Sequence, residues 1–312
     1  KMKPSDDSGG AAKGFFFTSD PKNVFVNLYV GPMMADMFVQ QCKETLRHKD
    51  VLNALRDEHF DVYITENFDM CGLGLAHVLK PKSVIWTSAS TLFGQQYQEA
   101  GIGVHSSFNP SPYTTHLNPH SFLSRLSNLW GEFLFRGFFR YGRTGTDALF
   151  HEQFPDFPGL MELSSRAAYV FSNAEPLLDF AHPTLHRIID LGGIGAKPAA
   201  PLAKEWTDVL ALRERTVLLS FGSVAPSVAL PEEYKKGLLK MISHFPDITF
   251  IWKYEKPDDE FAKAAAKAHK NIYFSKWTPQ GDLLAHPKLV AFVSHGGMGS
   301  CTETSRRGVP AL

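Results

Sequence analysis

Residues 290–303 read VAFVSHGGMGSCTE and are the most informative segment of the chain. Its first five residues are apolar and β-prone, which predicts a buried strand of a parallel sheet. The two glycines after His295 allow a sharp turn and a close approach of the backbone to a ligand. Residues 299–307 then predict a short helix that ends at Gly308. A strand, a glycine turn and a helix in this order predict a parallel α/β domain.

The same stretch also predicts an anion site. The free amide groups and the positive dipole end of the helix would point back at the glycine turn, where a phosphate could sit. His295 and Ser300 would add side-chain donors to a diphosphate. Glu303, one turn further along the helix, would accept hydrogen bonds from two ribose hydroxyls.

A second motif lies upstream, at Trp277-Thr278-Pro279-Gln280. The indole of Trp277 offers a flat face on which a base can stack, and Gln280 offers an amide to a ribose or sugar oxygen. Taken singly, a tryptophan is more often a core residue, and a His-Gly-Gly sequence is usually only a turn. The two motifs together favour a site for a nucleotide carrying a diphosphate-linked sugar.

The joint pattern resembles the signature of the UDP-glycosyltransferases, and specifically of the UDP-glucuronosyltransferase branch. The form Met298-Gly299-Ser300 is most similar to nematode members, and the resemblance extends from about Phe38 to the end of the chain. It implies the GT-B fold, an α/β architecture of two Rossmann-like domains facing across a cleft. It also implies transfer of a hexosyl group, glucuronic acid or glucose, from a UDP-sugar to a small lipophilic acceptor with inversion.

The resemblance assigns the donor site residue by residue. The predicted strand that begins at Thr216 ends in Phe-Gly-Ser, which places Ser223 as a donor to the diphosphate or sugar. The UDP-sugar is a co-substrate, so no cofactor and no metal are expected, and the 13 histidines form no convincing ligand cluster with carboxylates. The residues expected to bind the UDP-sugar are Ser223, Trp277, Thr278, Gln280, His295, Gly297, Gly299, Ser300 and Glu303.

The catalytic base is expected outside this chain. The family uses a histidine just after its first strand, oriented by a carboxylate at the end of a later strand. Glu66 occupies the position of that carboxylate, although a solvated turn residue is an equally good interpretation without the resemblance. The earliest histidine is His48, in a predicted helix, so the sequence is expected to begin within the acceptor domain. It is also expected to stop before the Asp-Gln that contacts the donor sugar, and the alternative is a truncated protein that binds UDP without catalysis.

Glycine and proline mark the expected domain boundary. The segment 192–201 contains three glycines and two prolines and is similar to the hinge that closes the acceptor domain in this family. The prediction is an acceptor-binding domain over residues 1–191, incomplete at its start, and a hinge over 192–206. A UDP-sugar-binding domain, incomplete at its end, is predicted over 207–312.

The first half of the chain is also expected to be α/β, after a flexible leader at residues 1–14. Helix 121–141 is rich in Phe and Leu and is interpreted either as a core helix or as one that faces a membrane or lines the acceptor pocket. Gly72-Leu73-Gly74 lacks the third glycine of a dinucleotide fingerprint, which argues against NAD. The strands are predicted at 24–28, 60–65, 83–86 and 168–173, and the other helices at 34–58 and 74–79.

Composition bounds the remaining possibilities. The 312 residues are 44% hydrophobic, enough for real cores, and 32 basic against 32 acidic residues argue against a nucleic-acid binder. No apolar run is long enough to cross a membrane. The three scattered cysteines are expected to be buried free thiols. The resemblance implies the endoplasmic reticulum membrane, lumenal side, with attachment through segments outside this chain and a homo- or hetero-oligomer as a possible assembly.

Overall fold

The computed structural model describes residues 24–114, 117–223 and 225–312, with side chains from Gly31 onward. The predicted leader at residues 1–14 lies outside these ranges. The described chain divides into two compact units, one ending at Gly192 and the other running from Gly193 to Leu312.

The first unit is built on a four-stranded parallel sheet in the order β1-β2-β3-β4. Its core packs around Trp86, Phe150 and Val170, which are fully buried. The strands are β1 (Val62–Glu66), β2 (Ser83–Ser88), β3 (Tyr169–Ser172) and β4 (Ile188–Asp190). The helices are α1 (Val24–Arg47), α2 (Lys49–Asp57), α3 (Cys71–Leu79), α4 (Gly94–Glu99), α5 (Phe122–Gln153) and α6 (Leu160–Ser165).

The predicted strand at residues 24–28 is wrong, because this segment is the first turn and a half of α1. Valine and phenylalanine favour strands locally, but the continuing helix packs closely on α5, and this tertiary contact overrides the local preference. A Cβ added to Gly142 would lie 3.4 Å from Cβ of Ala35, and one added to Gly145 would lie 2.9 Å from Val39. The predicted helix 34–58 is two helices, α1 and α2, separated at His48.

Only one face of helix α5 is buried, so the interpretation of this segment as a core helix holds for that face alone. Phe135, Phe139 and Phe150 are buried, while Phe122, Leu126 and Phe133 on the opposite face are 50–68% exposed. The helix is also longer than predicted, with Ser121 as its N-cap accepting from the amide of Ser124. Among the described helices, none is long and apolar enough to cross a membrane.

The expectation of three buried free thiols is wrong. Cys42 and Cys71 form a disulfide that joins α1 to α3, and the remaining Cys301 is exposed. The two cysteines are 29 positions apart in sequence. The packing of the two helices brings their Cα atoms to 5.6 Å, within the range that a disulfide requires. Spacing along the chain gave no sign of this contact.

The second unit has a four-stranded parallel sheet in the order β7-β6-β5-β8. The central strands β5 and β6 are buried on both faces, as expected for a parallel sheet covered by helices. Residues 310–312 continue beside β8, where the amide of Ser294 donates to the carbonyl of Leu312. The strands are β5 (Arg215–Ser220), β6 (Ile248–Lys253), β7 (Ile272–Ser275) and β8 (Leu289–Ser294). The helices are α7 (Lys204–Ala211), α8 (Glu232–Ser243), α9 (Glu260–Ala268), α10 (Gln280–Leu284) and α11 (Met298–Arg307).

Candidate functional site

A cavity of about 850 Å³ lies within the second unit, at the carboxyl ends of β5 and β6 and beside α11. This edge is where parallel α/β sheets bind ligands, because the loops after the strands diverge there. Seven of the residues expected to bind a UDP-sugar line it: Ser223, Trp277, Thr278, Gln280, Gly299, Ser300 and Glu303.

Gln280 organises one side of this cavity. It is the first residue of α10, and its side-chain amide donates to Oε2 of Glu303 at 2.7 Å and to Oγ of Ser300 at 3.1 Å. Both acceptors belong to α11, so the amide joins the two motifs recognised in the sequence. The carboxylate of Glu303 keeps a second oxygen for a ligand hydroxyl.

Trp277 presents its indole to solvent. The side chain is 70% exposed, which is unusual for a tryptophan that serves the core. The ammonium of Lys253 lies 5.5 Å from the ring centroid, within the range of a cation–π interaction. The exposed indole surface that Lys253 leaves free is suited to stacking with a planar ring such as a nucleobase.

His295 and Gly297 do not line the cavity themselves. The imidazole lies against Gly222 and Gly297, and a Cβ on Gly222 would be 2.7 Å from its Cε1 atom. Gly222 also has φ of +85°, so both the space and the backbone require glycine there. Burial first, and the neighbouring Lys253 second, lower the pKa of His295, which keeps the ring neutral near pH 7.

The start of α11 is free to receive an anion. Its N-cap Gly297 provides no side-chain hydrogen bond to the first turn, and the helix runs for ten residues. The first amide groups therefore keep their hydrogen-bonding capacity, and the helix dipole adds positive potential. The predicted helix after the glycine turn is present, and Ser300 lies in its first turn.

Several lining residues were missed by the sequence reasoning. Lys253 ends β6, and its ammonium donates to the carbonyl of Gly222 at 2.7 Å. Because ligands bind at the carboxyl ends of parallel strands, the position of Lys253 at the end of a strand could have identified it as a lining residue. Arg307 closes the far side, where it donates to the carbonyl of Lys197 at 3.1 Å. Segment 195–198, which includes Lys197, thereby becomes part of the cavity wall, together with Arg306.

Glu66 lies in the other unit, as the last residue of β1, where it pairs in register with Thr87. Its carboxylate accepts a hydrogen bond from the amide of Phe68. Burial raises the pKa of Glu66 from its ordinary value, and hydrogen bonds from Phe68 and other backbone amides oppose that shift. The carboxylate is therefore held in place at the carboxyl end of the sheet, which is where an orienting group is expected.

The described residues contain no group of three or more His, Cys, Asp and Glu side chains that could hold a metal ion.

Two units, each with a four-stranded parallel sheet, give an α/β fold of the GT-B class, and the second unit has a nucleotide-sized cavity at its sheet edge. The fold is similar to that of the kitacinnamycin glycotransferase, with a TM-score of 0.58 at 15% identity over 90% of this chain and 63% of that one. It is also similar to a UDP-glucosyltransferase from Polygonum tinctorium, with a TM-score of 0.56 at 15% identity over 91% and 62%. The predicted fold class is confirmed.

The chain belongs to the family described as UDP-glucoronosyl and UDP-glucosyl transferase, whose model matches residues 13–312. It is 34% identical to the putative UDP-glucuronosyltransferase ugt-55 of Caenorhabditis elegans, over 86% of this chain and 51% of that protein. It is 32% identical to UDP-glucuronosyltransferase 3A1 of Bos taurus, over 89% and 52%. The chain therefore spans about half the length of these curated relatives, and the predicted resemblance to the family, nematode members included, is confirmed.

Proposed function

We propose that this protein transfers a hexosyl group, glucuronic acid or glucose, from a UDP-sugar to a small lipophilic acceptor with inversion at the anomeric carbon. The observation that carries the proposal is the single cavity in which Trp277, Gln280, Glu303 and the start of α11 converge. In this arrangement the base stacks on Trp277, and Glu303 accepts from the ribose hydroxyls. The diphosphate lies against Ser300, Ser223 and the first amides of α11.

Transfer of the sugar with inversion requires three events. A base removes the proton of the acceptor hydroxyl, the oxygen attacks the anomeric carbon, and UDP leaves with the bonding electron pair. The second unit serves the last step, because amide groups and a helix dipole stabilise the charge that develops on the diphosphate. His295 supports this site from behind, where its ring packs against Gly222 and Gly297.

We assign Glu66 the role of orienting the base and the first unit the role of binding the acceptor. The fixed position of this carboxylate at the end of β1 supports the assignment. The domain limits of the proposal are residues 1–191 for acceptor binding, 192–206 for the hinge and 207–312 for donor binding.

We also place this segment of the protein in the lumen of the endoplasmic reticulum, held at the membrane by parts outside this chain. The disulfide between Cys42 and Cys71 supports this placement, because such bonds persist in oxidising compartments and are rare in the cytosol.

The test is sugar transfer from radiolabelled UDP-glucose and UDP-glucuronic acid to a panel of phenols and steroids. It is measured in parallel on the 312-residue chain and on the native protein purified from its source. A labelled glycoside supports the proposal. UDP binding without transfer in both samples supports the alternative, a UDP-binding protein without catalysis, which family membership makes the less favoured reading. The absence of both refutes the proposal.

A further inference from the structure

A second cavity, of about 540 Å³, lies within the first unit. It is bounded by the loops that follow the carboxyl ends of β2 and β3 and by α5. The inference drawn from it rests on the proposed function, in which this unit binds the acceptor.

The wall of this cavity combines apolar and acidic groups. Leu92, Phe93 and Phe180 provide apolar surface, and Glu132 and Asp179 provide two carboxylates. Among the described residues that line it, none is a lysine or an arginine. Such a wall suits a ligand with an apolar body and a group that donates hydrogen bonds or carries positive charge.

Glu132 is the decisive member of this wall. The residue is only 4% exposed, and its Oε1 atom accepts from Nε of Arg136 at 3.0 Å. No described residue donates a hydrogen bond to Oε2. Since Arg136 engages Oε1 and the residue lines the cavity, Oε2 is the oxygen that can accept from a ligand. The side chain also fits tightly, because a Cβ on Gly94 would lie 1.9 Å from Oε1.

Asp179 adds a second carboxylate to the cavity wall, from the loop after β3. Its Oδ2 atom accepts from the amide of Glu175 at 2.7 Å, which fixes the carboxylate in the loop after β3. Arg136 already pairs with Oε1 of Glu132, so Oε2 of Glu132 and the Asp179 carboxylate are the groups that favour a hydrogen-bond donor or a cation over an anion.

We propose that this cavity selects acceptors that carry a protonated amine on an apolar body, with Glu132 as the specificity-determining residue. The amine donates to Oε2, while the apolar body lies against Leu92, Phe93 and Phe180. A neutral phenol of the same shape lacks the donor, and an anionic one meets two carboxylates.

The test compares three phenols with one common ring: tyramine, 4-ethylphenol and 3-(4-hydroxyphenyl)propionate. Calorimetric titration of the 312-residue chain at pH 7 is expected to show tyramine binding about tenfold tighter than 4-ethylphenol, as for one charge-assisted hydrogen bond. The anionic phenol is expected to bind most weakly. In Glu132→Gln, which keeps the shape and still accepts from Arg136, the preference for tyramine should shrink to about twofold or less.

The matched control is Glu152→Gln, which changes an exposed carboxylate on the same helix and should leave the preference intact. The inference is overturned if 4-ethylphenol binds as tightly as tyramine, if Glu132→Gln keeps the preference, or if no probe binds. UDP is titrated separately, since its site lies in the other unit. Failure of UDP binding and of sugar transfer would therefore refute the proposed function. The preference of the second cavity for an amine is measured independently of both.

Discussion

The side-chain amide of Gln280 donates a 2.7 Å hydrogen bond to Oε2 of Glu303, although the two residues lie on different helices and 23 positions apart. This contact fixes the Glu303 carboxylate at the cavity wall, with one oxygen occupied and the other available. A carboxylate that is already held in place loses little conformational entropy when it binds a ribose.

Glu303→Ala is expected to weaken UDP binding by about 10- to 100-fold, because hydrogen bonds to a charged group contribute about 1.5–3 kcal/mol. Calorimetric titration with UDP measures the loss. The loss should vanish for 2′,3′-dideoxy-UDP, which lacks both hydroxyls. Glu214→Ala, at an almost fully exposed carboxylate, is the control and should leave the affinity unchanged.

Trp277→Ala is expected to lower UDP affinity by about 5- to 150-fold, since stacking of a base on an aromatic ring contributes about 1–3 kcal/mol. Trp130→Ala is the matched control, because Trp130 is also exposed, at 54%, but lies on α5 in the other unit. Equal UDP affinity in wild type and Trp277→Ala would exclude this indole as the base platform.

Gly222→Ala is expected to destabilise the fold and to weaken UDP binding together. The added methyl would meet the imidazole of His295, and φ of +85° costs a non-glycine residue about 1–2 kcal/mol. Thermal unfolding with and without UDP measures both effects. Gly237→Ala should instead raise stability by about 0.5–1 kcal/mol, because this helical glycine faces open space.

Glu99 predicts a pH-dependent stability in the first unit. Burial raises the pKa of Glu99 to about 7, against hydrogen bonds from Gln95 and Asn67 and the charge of Arg143, which lower it. The folded state therefore holds a proton that the unfolded state releases above its ordinary pKa near 4.5. This stability is fully present below pH 4.5 and is lost as pH rises to 7.

Replacing this residue by Gln removes the titration. Relative to Glu99→Gln, the wild type should lose about 3 kcal/mol of unfolding free energy between pH 4.5 and pH 7.5. The loss arises because the pKa of Glu99 is about 7 in the folded state and near 4.5 in the unfolded state. Urea unfolding at a series of pH values measures the difference. A difference between the two proteins that stays constant with pH would show that Glu99 does not titrate in this range.

Removal of the disulfide is expected to lower stability by about 3–4 kcal/mol, since the cross-link restricts the unfolded chain between Cys42 and Cys71. The double variant Cys42→Ala/Cys71→Ala, and the wild type in a thiol reductant, should melt at the same lowered temperature. Cys301→Ser, which removes the exposed free thiol, should leave the melting temperature unchanged. A reductant-insensitive wild type would contradict the pairing.

Sequence reasoning succeeded where a pattern was local. The strand before His295, the helix ended by Gly308 and the strands at Val62, Ser83 and Tyr169 could each be predicted from a few consecutive residues. Seven of the residues expected to bind the UDP-sugar line one cavity, because the two motifs that contain most of them meet at the carboxyl edge of one sheet.

The misses depended on tertiary contacts. The segment at Val24 has strand-forming residues but is helical, because helix α1 packs on α5. The pairing of Cys42 with Cys71 follows from the packing of two helices, which no spacing rule encodes. Glu132 was missed for the same reason: its significance lies in its position at a cavity wall, and a helix pattern does not show the cavity.

The connection between the two units has a practical consequence for protein engineering. Segment 195–198 lines the cavity of the second unit, and α11 holds it through Arg307, which donates to the carbonyl of Lys197. A chimera that exchanges the two units between relatives should therefore change parents at or before Gly193. A later junction would place residues of the other parent in the wall of this cavity and alter its ligand preference together with the exchanged unit.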